Sequence, residues 1–217
     1  MINPDPIDLA ALREEYARGG LDRDDLAADP YAMFARWMRD AIAAGVHEPN
    51  ALVLATVSPQ GQPSSRMVLL KEFNTTGFVF YTNQASRKSG ELSANPRCAL
   101  LFPWHPLERQ VRIEGEAEPV ADAEADAYFA VRPRSAQLGA WASLQSSVVA
   151  DRDALAASYA EVEARFEGAS VPRPPHWGGY LVRPACVEFW QGRPGRMHDR
   201  LRYERDGETW QVVRLAP

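Results

Sequence analysis

Apolar residues recur along the chain with two different periods, and the change falls near residue 51. Ahead of it the spacing is helical. Leu9, Leu12 and Tyr16 share one face and Gly19-Gly20 follow, which predicts a short, loosely held N-terminal helix. Asp29-Pro30 predicts a second helix start, with Asp as N-cap and Pro in the first turn. Phe34, Trp37, Met38, Ala41 and Ile42 then form one apolar stripe, which Gly45 ends.

Past residue 51 the pattern shortens to that of strands. Ala51–Val57 is almost wholly apolar and predicts a strand buried on both faces. Pro59-Gln60-Gly61 is a turn. Two apolar runs, residues 67–70 and 78–81, are joined by a polar turn over 74–77 and predict a hairpin. A helix over residues 86–95 follows, with Ser86 as its cap. Residues 98–102 and 109–119 predict two further strands. In the second, Val111 and Ile113 alternate with Gln110, Arg112 and Glu114, so one face is polar. Helices are predicted over 122–129, through Leu138 and Trp141, and after the cap Asp151, where Leu155, Tyr159, Val162 and Phe166 mark a core face. Residues 187–191, 200–203 and 210–215 close the chain as strands. Helices inserted among consecutive strands, rather than alternating with them, predict an α+β fold: an antiparallel barrel with peripheral helices.

With 217 residues the chain fits one domain, 1–217, with residues 1–20 a loosely held N-terminal segment. The net charge of −5 argues against a nucleic-acid or membrane-surface binder, which needs a basic face. No apolar run approaches the ~20 residues of a membrane span. Met1 to Asp8 is polar and acidic, without a signal peptide. Cys98 and Cys186 each sit in an apolar run and read as buried free thiols of a reducing compartment, so a soluble cytoplasmic protein is expected.

The two common nucleotide loops, G-x-G-x-x-G and G-x-x-x-x-G-K, are missing. The four histidines, His47, His105, His176 and His198, have no metal-ligand spacing with the cysteines. Cations mark the remaining chemistry. Arg66 and Lys71 bracket the first hairpin run, and Arg87 and Lys88 follow at a helix start, as a phosphate grip would be built or as solvated charges would lie. Strand alternation places Arg196, His198 and Arg200 on one face. Helical spacing places Tyr128 and Arg132 together. One conflict stands out. Five positions separate Arg66 from Lys71, an odd step that points them to opposite faces unless the strand bulges or the ligand lies across its edge.

Four stretches occur in order: RMVLLKEFNTTGFVFYTNQASRK from Arg66, FPWHPLERQVRIEG from Phe102, RPRSAQLGAWASLQSS from Arg132 and VEFWQGRPGRMHDRLRYER from Val187. With the C-terminal Arg214-Leu215-Ala216-Pro217 they resemble the pyridoxamine/pyridoxine phosphate oxidases, from about Leu12 to the last residue. The resemblance implies an α+β antiparallel split β-barrel that binds FMN at the interface of a homodimer. It implies phosphorylated pyridoxine vitamers as substrates, dioxygen as acceptor and pyridoxal phosphate as product. Arg66, Arg87 and Lys88 would hold the FMN phosphate, and Met67, Val68, Leu69, Lys71, Tyr81, Thr82, Gln110, Gln145, Ser146, Trp190 and Arg200 would complete the flavin site. Lys71, Tyr128 and Arg132 would take the substrate phosphate. Arg196 and His198, the catalytic candidates, would lie against the substrate ring, and Arg13 and Tyr16 resemble a segment that folds over the occupied site. Alternatives are a related flavin oxidase acting on another ring, such as a phenazine precursor, and a non-catalytic flavin or pyridoxal phosphate carrier. One position departs from the family's R-P-R-x-S-Q pattern: Ala136 stands where the serine is expected, with Ser135 before it.

Overall fold

A computed structural model describes residues 15–217. Leu9, Leu12 and Arg13 lie outside the described residues. Tyr16 to Gly20 are described and are not helical.

Asp29 caps α1 (Pro30–Ala43) as expected, its carboxylate accepting the Tyr31 and Ala32 N–H groups. The stripe faces the core, where Phe34 meets the rings of Phe73, Phe78 and Phe102 at about 5 Å. Ile42 departs from it and is 60% exposed, on the last turn of the helix. Eight strands follow: β1 (Ala51–Val57), β2 (Pro63–Asn74), β3 (Gly77–Asn83), β4 (Arg97–Trp104), β5 (Arg109–Pro119), β6 (Trp177–Gln191), β7 (Asp199–Asp206) and β8 (Thr209–Arg214). They form one antiparallel sheet in the order β3-β2-β1-β4-β5-β6-β7-β8, and an added β3–β6 pairing closes six of them into a barrel. Between β3 and β4 lies α2 (Arg87–Ala94); α3 (Asp122–Ala130), α4 (Arg134–Ala142) and α5 (Arg152–Arg165) lie between β5 and β6.

The 15-residue β6 explains why the barrel is split. β5 pairs along β6 from Tyr180 to Gln191. The opposite edge of β6 is shared: β3 takes residues 177–182 and β7 takes residues 186–191. The bend between the two halves falls at a bulge, where Glu114 faces Cys186 but Gly115 faces Pro184. A Cβ on Gly115 would sit 2.1 Å from the Arg183 carbonyl oxygen, which has no room to retreat. Gly115→Ala is therefore expected to cost about 1–3 kcal/mol, lowering Tm by ~2–4 °C per kcal/mol in a chain this size. A variant that melts with the wild type would mean that the two strands part freely there.

Only the second half of β6 is legible as a strand in the sequence, because Gly178, Gly179 and Pro184 break the apolar run of the first half. The expected core face of α5 is also thin. Leu155 is exposed and the helix contributes no buried residue, while Tyr159 and Val162 lie against a small second core of Phe129, Leu138, Phe166, Val171 and Trp177. Cys98 is buried, but Cys186 is only half-buried; both are free thiols.

Candidate active site

The site begins where a hairpin comes apart. β2 pairs with β1 over residues 63–69 but with β3 only from Leu70 onward. Leu70 faces Phe80 and Glu72 faces Val79, so Lys71 is the extra residue of a bulge. Past it, Tyr81, Thr82 and Asn83 pair with β6 instead of returning along β2. The strands diverge, and a cleft of about 1000 Å³ opens between them. The Leu70 N–H bonds the Asn50 carbonyl. Alternation then turns the main-chain groups of Leu69, Met67 and Ser65 away from β1, toward the cleft. The bulge and the free edge resolve the conflict in the sequence: Arg66 and Lys71 both line this cleft.

Its lining holds thirteen of the residues expected from sequence: Arg66, Met67, Val68, Leu69, Lys71, Tyr81, Thr82, Arg87, Lys88, Tyr128, Arg132, Gln145 and Ser146. Lys88 is buried and donates to three neutral oxygens, Thr82 Oγ1 (3.0 Å), Ser86 Oγ (3.0 Å) and Gln145 Oε1 (2.8 Å). Burial, with the nearby Arg66, lowers its pKa to about 8. Ser86 makes no side-chain cap to α2, contrary to expectation; its hydroxyl is taken by Lys88, and Ser146 Oγ accepts the Arg87 N–H instead. Ser146 has a left-handed backbone (φ 76°), a conformation costly for a residue with a Cβ and held here by its surroundings.

Beneath the cations lies a carboxylate that the motifs did not single out. Glu91 is buried and accepts from Arg87 Nε (2.8 Å), Arg66 Nη2 (3.3 Å), Ser64 Oγ (2.8 Å) and Thr56 Oγ1. Burial alone would raise its pKa, but the bonds from Thr56, Ser64 and Arg87 outweigh that and hold it at about 2. Its i,i+4 spacing from Arg87 was the available signal.

Across the cleft stands an aromatic stack. Tyr81 lies on Tyr128 at 4.1 Å and on Trp177 at 5.5 Å, nearly parallel to both. Gly179 permits this, since a Cβ there would meet the Tyr81 ring at 2.7 Å. Burial and the adjacent Glu124 carboxylate, which accepts the Tyr81 hydroxyl, push that phenol's pKa up. The Arg132 guanidinium sits 4.6 Å over Trp177, and its Nη1 is buried without a hydrogen-bond partner. Arg132 lies past the end of α3, so it reaches Tyr128's side of the cleft from a turn rather than from a shared helical face. Two motif neighbours are structural. Arg134 donates to the carbonyls of Phe166 and Ala169, and Gln137 to those of Phe129 and Ala130. Ala136 lines the cleft and Ser135 does not.

The other expected residues among those described lie elsewhere. Gln110 and Arg200 flank Trp190 on its two neighbouring strands. Tyr16 and His198 pack on Trp190 with ring centroids at 5.7 and 4.6 Å. The N–H groups of Ala17 and Arg18 meet the Glu108 carboxylate, and a Cβ on Gly192 would strike Tyr16, so the chain beside Tyr16 is closely seated. Arg200 forks onto the buried Glu188 at 2.7 and 3.1 Å. His198 Nδ1 accepts the Arg193 N–H (3.1 Å), which leaves the ring proton on Nε2. Arg196 is not on a strand; it ends a 3-10 turn, left-handed at φ 61°, so the alternation drawn through Arg196, His198 and Arg200 does not apply. Trp177 and Trp190 mark opposite ends of β6, on either side of its bulge. Gln110, Trp190, Arg196, His198 and Arg200 are not among the residues that line the cleft, so one chain does not bring the two groups together.

An antiparallel barrel of this kind, opened at its split into a cation-lined cleft, is the α+β fold known as the flavin-binding split barrel. A pyridoxamine 5'-phosphate oxidase-related, FMN binding protein from Nostoc punctiforme shares this fold, with a TM-score of 0.70 at 18% identity over 88% of this chain and 100% of that one. PhzG from Burkholderia lata, solved with tetrahydrophenazine-1-carboxylic acid, matches at a TM-score of 0.85 and 38% identity over 89% of this chain and 95% of that one. The family model for pyridoxamine 5'-phosphate oxidase matches residues 38–166. The model for the pyridoxine 5'-phosphate oxidase C-terminal dimerisation region matches residues 177–217. Pyridoxine/pyridoxamine 5'-phosphate oxidases of Nocardioides sp. and Rubrobacter xylanophilus are 63% and 59% identical, each over 97% of this chain and 99% and 97% of their own. The chain belongs to the pyridoxine/pyridoxamine 5'-phosphate oxidase family, a family of oxidoreductases.

Proposed function

We propose that the protein oxidises pyridoxamine phosphate and pyridoxine phosphate to pyridoxal phosphate, using FMN and dioxygen, as a cytoplasmic homodimer. Hydrogen peroxide is the second product, and the amine substrate also releases ammonia. The observation that carries the reading is Arg132, which lines the cleft with Tyr128 and Lys71 and whose Nη1 is buried with no hydrogen-bond partner. Such a group is costly to leave unpaired, and a substrate phosphate would satisfy it.

The residues present also fit FMN. Arg66, Arg87 and Lys88 set three cations against the single carboxylate of Glu91, a net positive site suited to one phosphate. When bound, FMN would take two electrons from the substrate carbon and pass them to dioxygen. The chain's residues position and bind. The free edge of β2 offers main-chain donors and acceptors to a flat polar ring. Gln110, Trp190 and Arg200, supplied from the partner, would close the flavin site, and Arg196 and His198 would hold the reacting end of the substrate. His198, with its proton on Nε2, acts there as a hydrogen-bond donor.

Oxygen uptake with pyridoxine phosphate, read beside the visible spectrum of the purified protein, tests this. Uptake by a yellow, FMN-containing protein is expected. FAD in the extract, or a colourless protein that takes up no FMN, contradicts the flavin assignment. Binding without uptake indicates a carrier. The likeness to PhzG raises the phenazine-type alternative, against which the phosphate grip of Lys71, Tyr128 and Arg132 argues.

Two further results are expected. Lys88 titrates near pH 8 in the free cleft, so above that pH FMN must bind together with a proton and its affinity falls. Calorimetry in buffers of different ionisation enthalpy reads this uptake, and Lys88→Met should abolish it. The sign for folding is opposite: the lowered pKa makes Lys88's contribution to stability rise as pH climbs from about 8 toward 10.5. At the family's serine position, Ala136→Ser should lower KM by up to roughly tenfold with little change in kcat, as a uniform-binding contact would. Ser135→Ala should alter neither constant, and a tenfold rise in KM would assign the role to Ser135.

A further inference from the structure

We infer that Glu91 is a positioning residue of the phosphate grip: it fixes Arg66 and Arg87 in one fork before the anion arrives. This rests on the flavin reading of the cleft. The geometry is a buried carboxylate used on both oxygens. Oε1 takes Arg87 Nε, and Oε2 takes Arg66 Nη2 and the hydroxyls of Ser64 and Thr56. These partners come from β1, β2 and α2. Glu91 therefore also ties the helix that follows β3 to the strand from which β3 has parted, and so fixes the two lips of the cleft relative to each other.

Arginine side chains lose much rotamer freedom when they bind, and a donor held in place beforehand loses less. Arg66 is held further by its Nη1 bonds to the Leu54 carbonyl and Thr56 Oγ1. Arg87 is more than half exposed and has Glu91 as its side-chain anchor. Without a carboxylate the three cations would repel one another and splay. With it, the site remains net positive and an anion is still attracted.

The test separates positioning from simple scaffolding by comparing two ligands that differ in the phosphate. The full-length protein, stripped of flavin, is titrated with FMN and with riboflavin, for the wild type, Glu91→Gln and Glu91→Ala. Gln keeps an oxygen for Ser64, Thr56 and Arg66 but turns an amide N–H₂ toward Arg87, which it repels. The FMN Kd is expected to rise severalfold in Glu91→Gln and about tenfold or more in Glu91→Ala, while the riboflavin Kd stays within about twofold. Glu91→Gln decides the matter if Glu91→Ala does not fold. Equal weakening of both ligands, or FMN affinity unchanged or tighter, overturns the inference. Wild-type protein that binds neither flavin overturns instead the reading on which it rests.

Discussion

Arg132→Ala is expected to raise the KM for pyridoxine phosphate by about 10- to 100-fold, with a much smaller change in kcat. The guanidinium carbon lies 4.6 Å from the Trp177 ring centroid and 5.5 Å from that of Phe129, with Nη1 buried and unpaired. Burial lowers its pKa, and the nearby Tyr128 acts against that. A desolvated cation with a free donor is an anion site in waiting. A charge-assisted bond to phosphate contributes ~1.5–3 kcal/mol, hence the expected range. The phosphate lies away from the reacting carbon, so the contact is the same in ground and transition states and appears in KM. Arg132→Lys should recover only part of the loss, because a lysine ammonium has neither the fork nor the planar face that stacks on Trp177. Unphosphorylated pyridoxine should be a poor substrate of both proteins and should discriminate little between them. A KM that stays at the wild-type value in Arg132→Ala would remove Arg132 from the substrate site.

Much of this arrangement is written locally in the chain. The Asp29-Pro30 cap, the alternation of β5 and the two runs of the hairpin are short-range signals, and each appears as read. The α+β barrel follows from strands in series. What escaped is set by distant pairing. The bulge at Lys71 lies opposite Val79 and Phe80, which pair at once with β2 and with β6, a strand about 100 residues further on. Nothing near Lys71 encodes it. Trp177 was missed for a related reason: two glycines hide the start of β6, yet those glycines make room for Tyr81 and Gln84. Left-handed Ser146 and Arg196 carry no residue-type signal, being neither glycine nor asparagine. The resemblance grouped Gln110, Trp190, Arg196, His198 and Arg200 with the cleft residues. It could not say that one chain keeps them at the far end of β6.

That separation gives the second large effect. Arg196→Ala should retain flavin and lower kcat on the order of 10²-fold, as loss of a group that orients the reacting end does. In the proposed homodimer each site would take its cleft from one chain and Arg196 from the other, so the two defects should complement. Differently tagged Arg132→Ala and Arg196→Ala chains, co-expressed and assayed at substrate well below the wild-type KM, form heterodimers. Each heterodimer holds one intact site and one doubly altered site. Random pairing makes half the dimers mixed, so about a quarter of the wild-type activity should return. Purified heterodimers no more active than the sum of the parent homodimers would contradict the claim that two chains build each site.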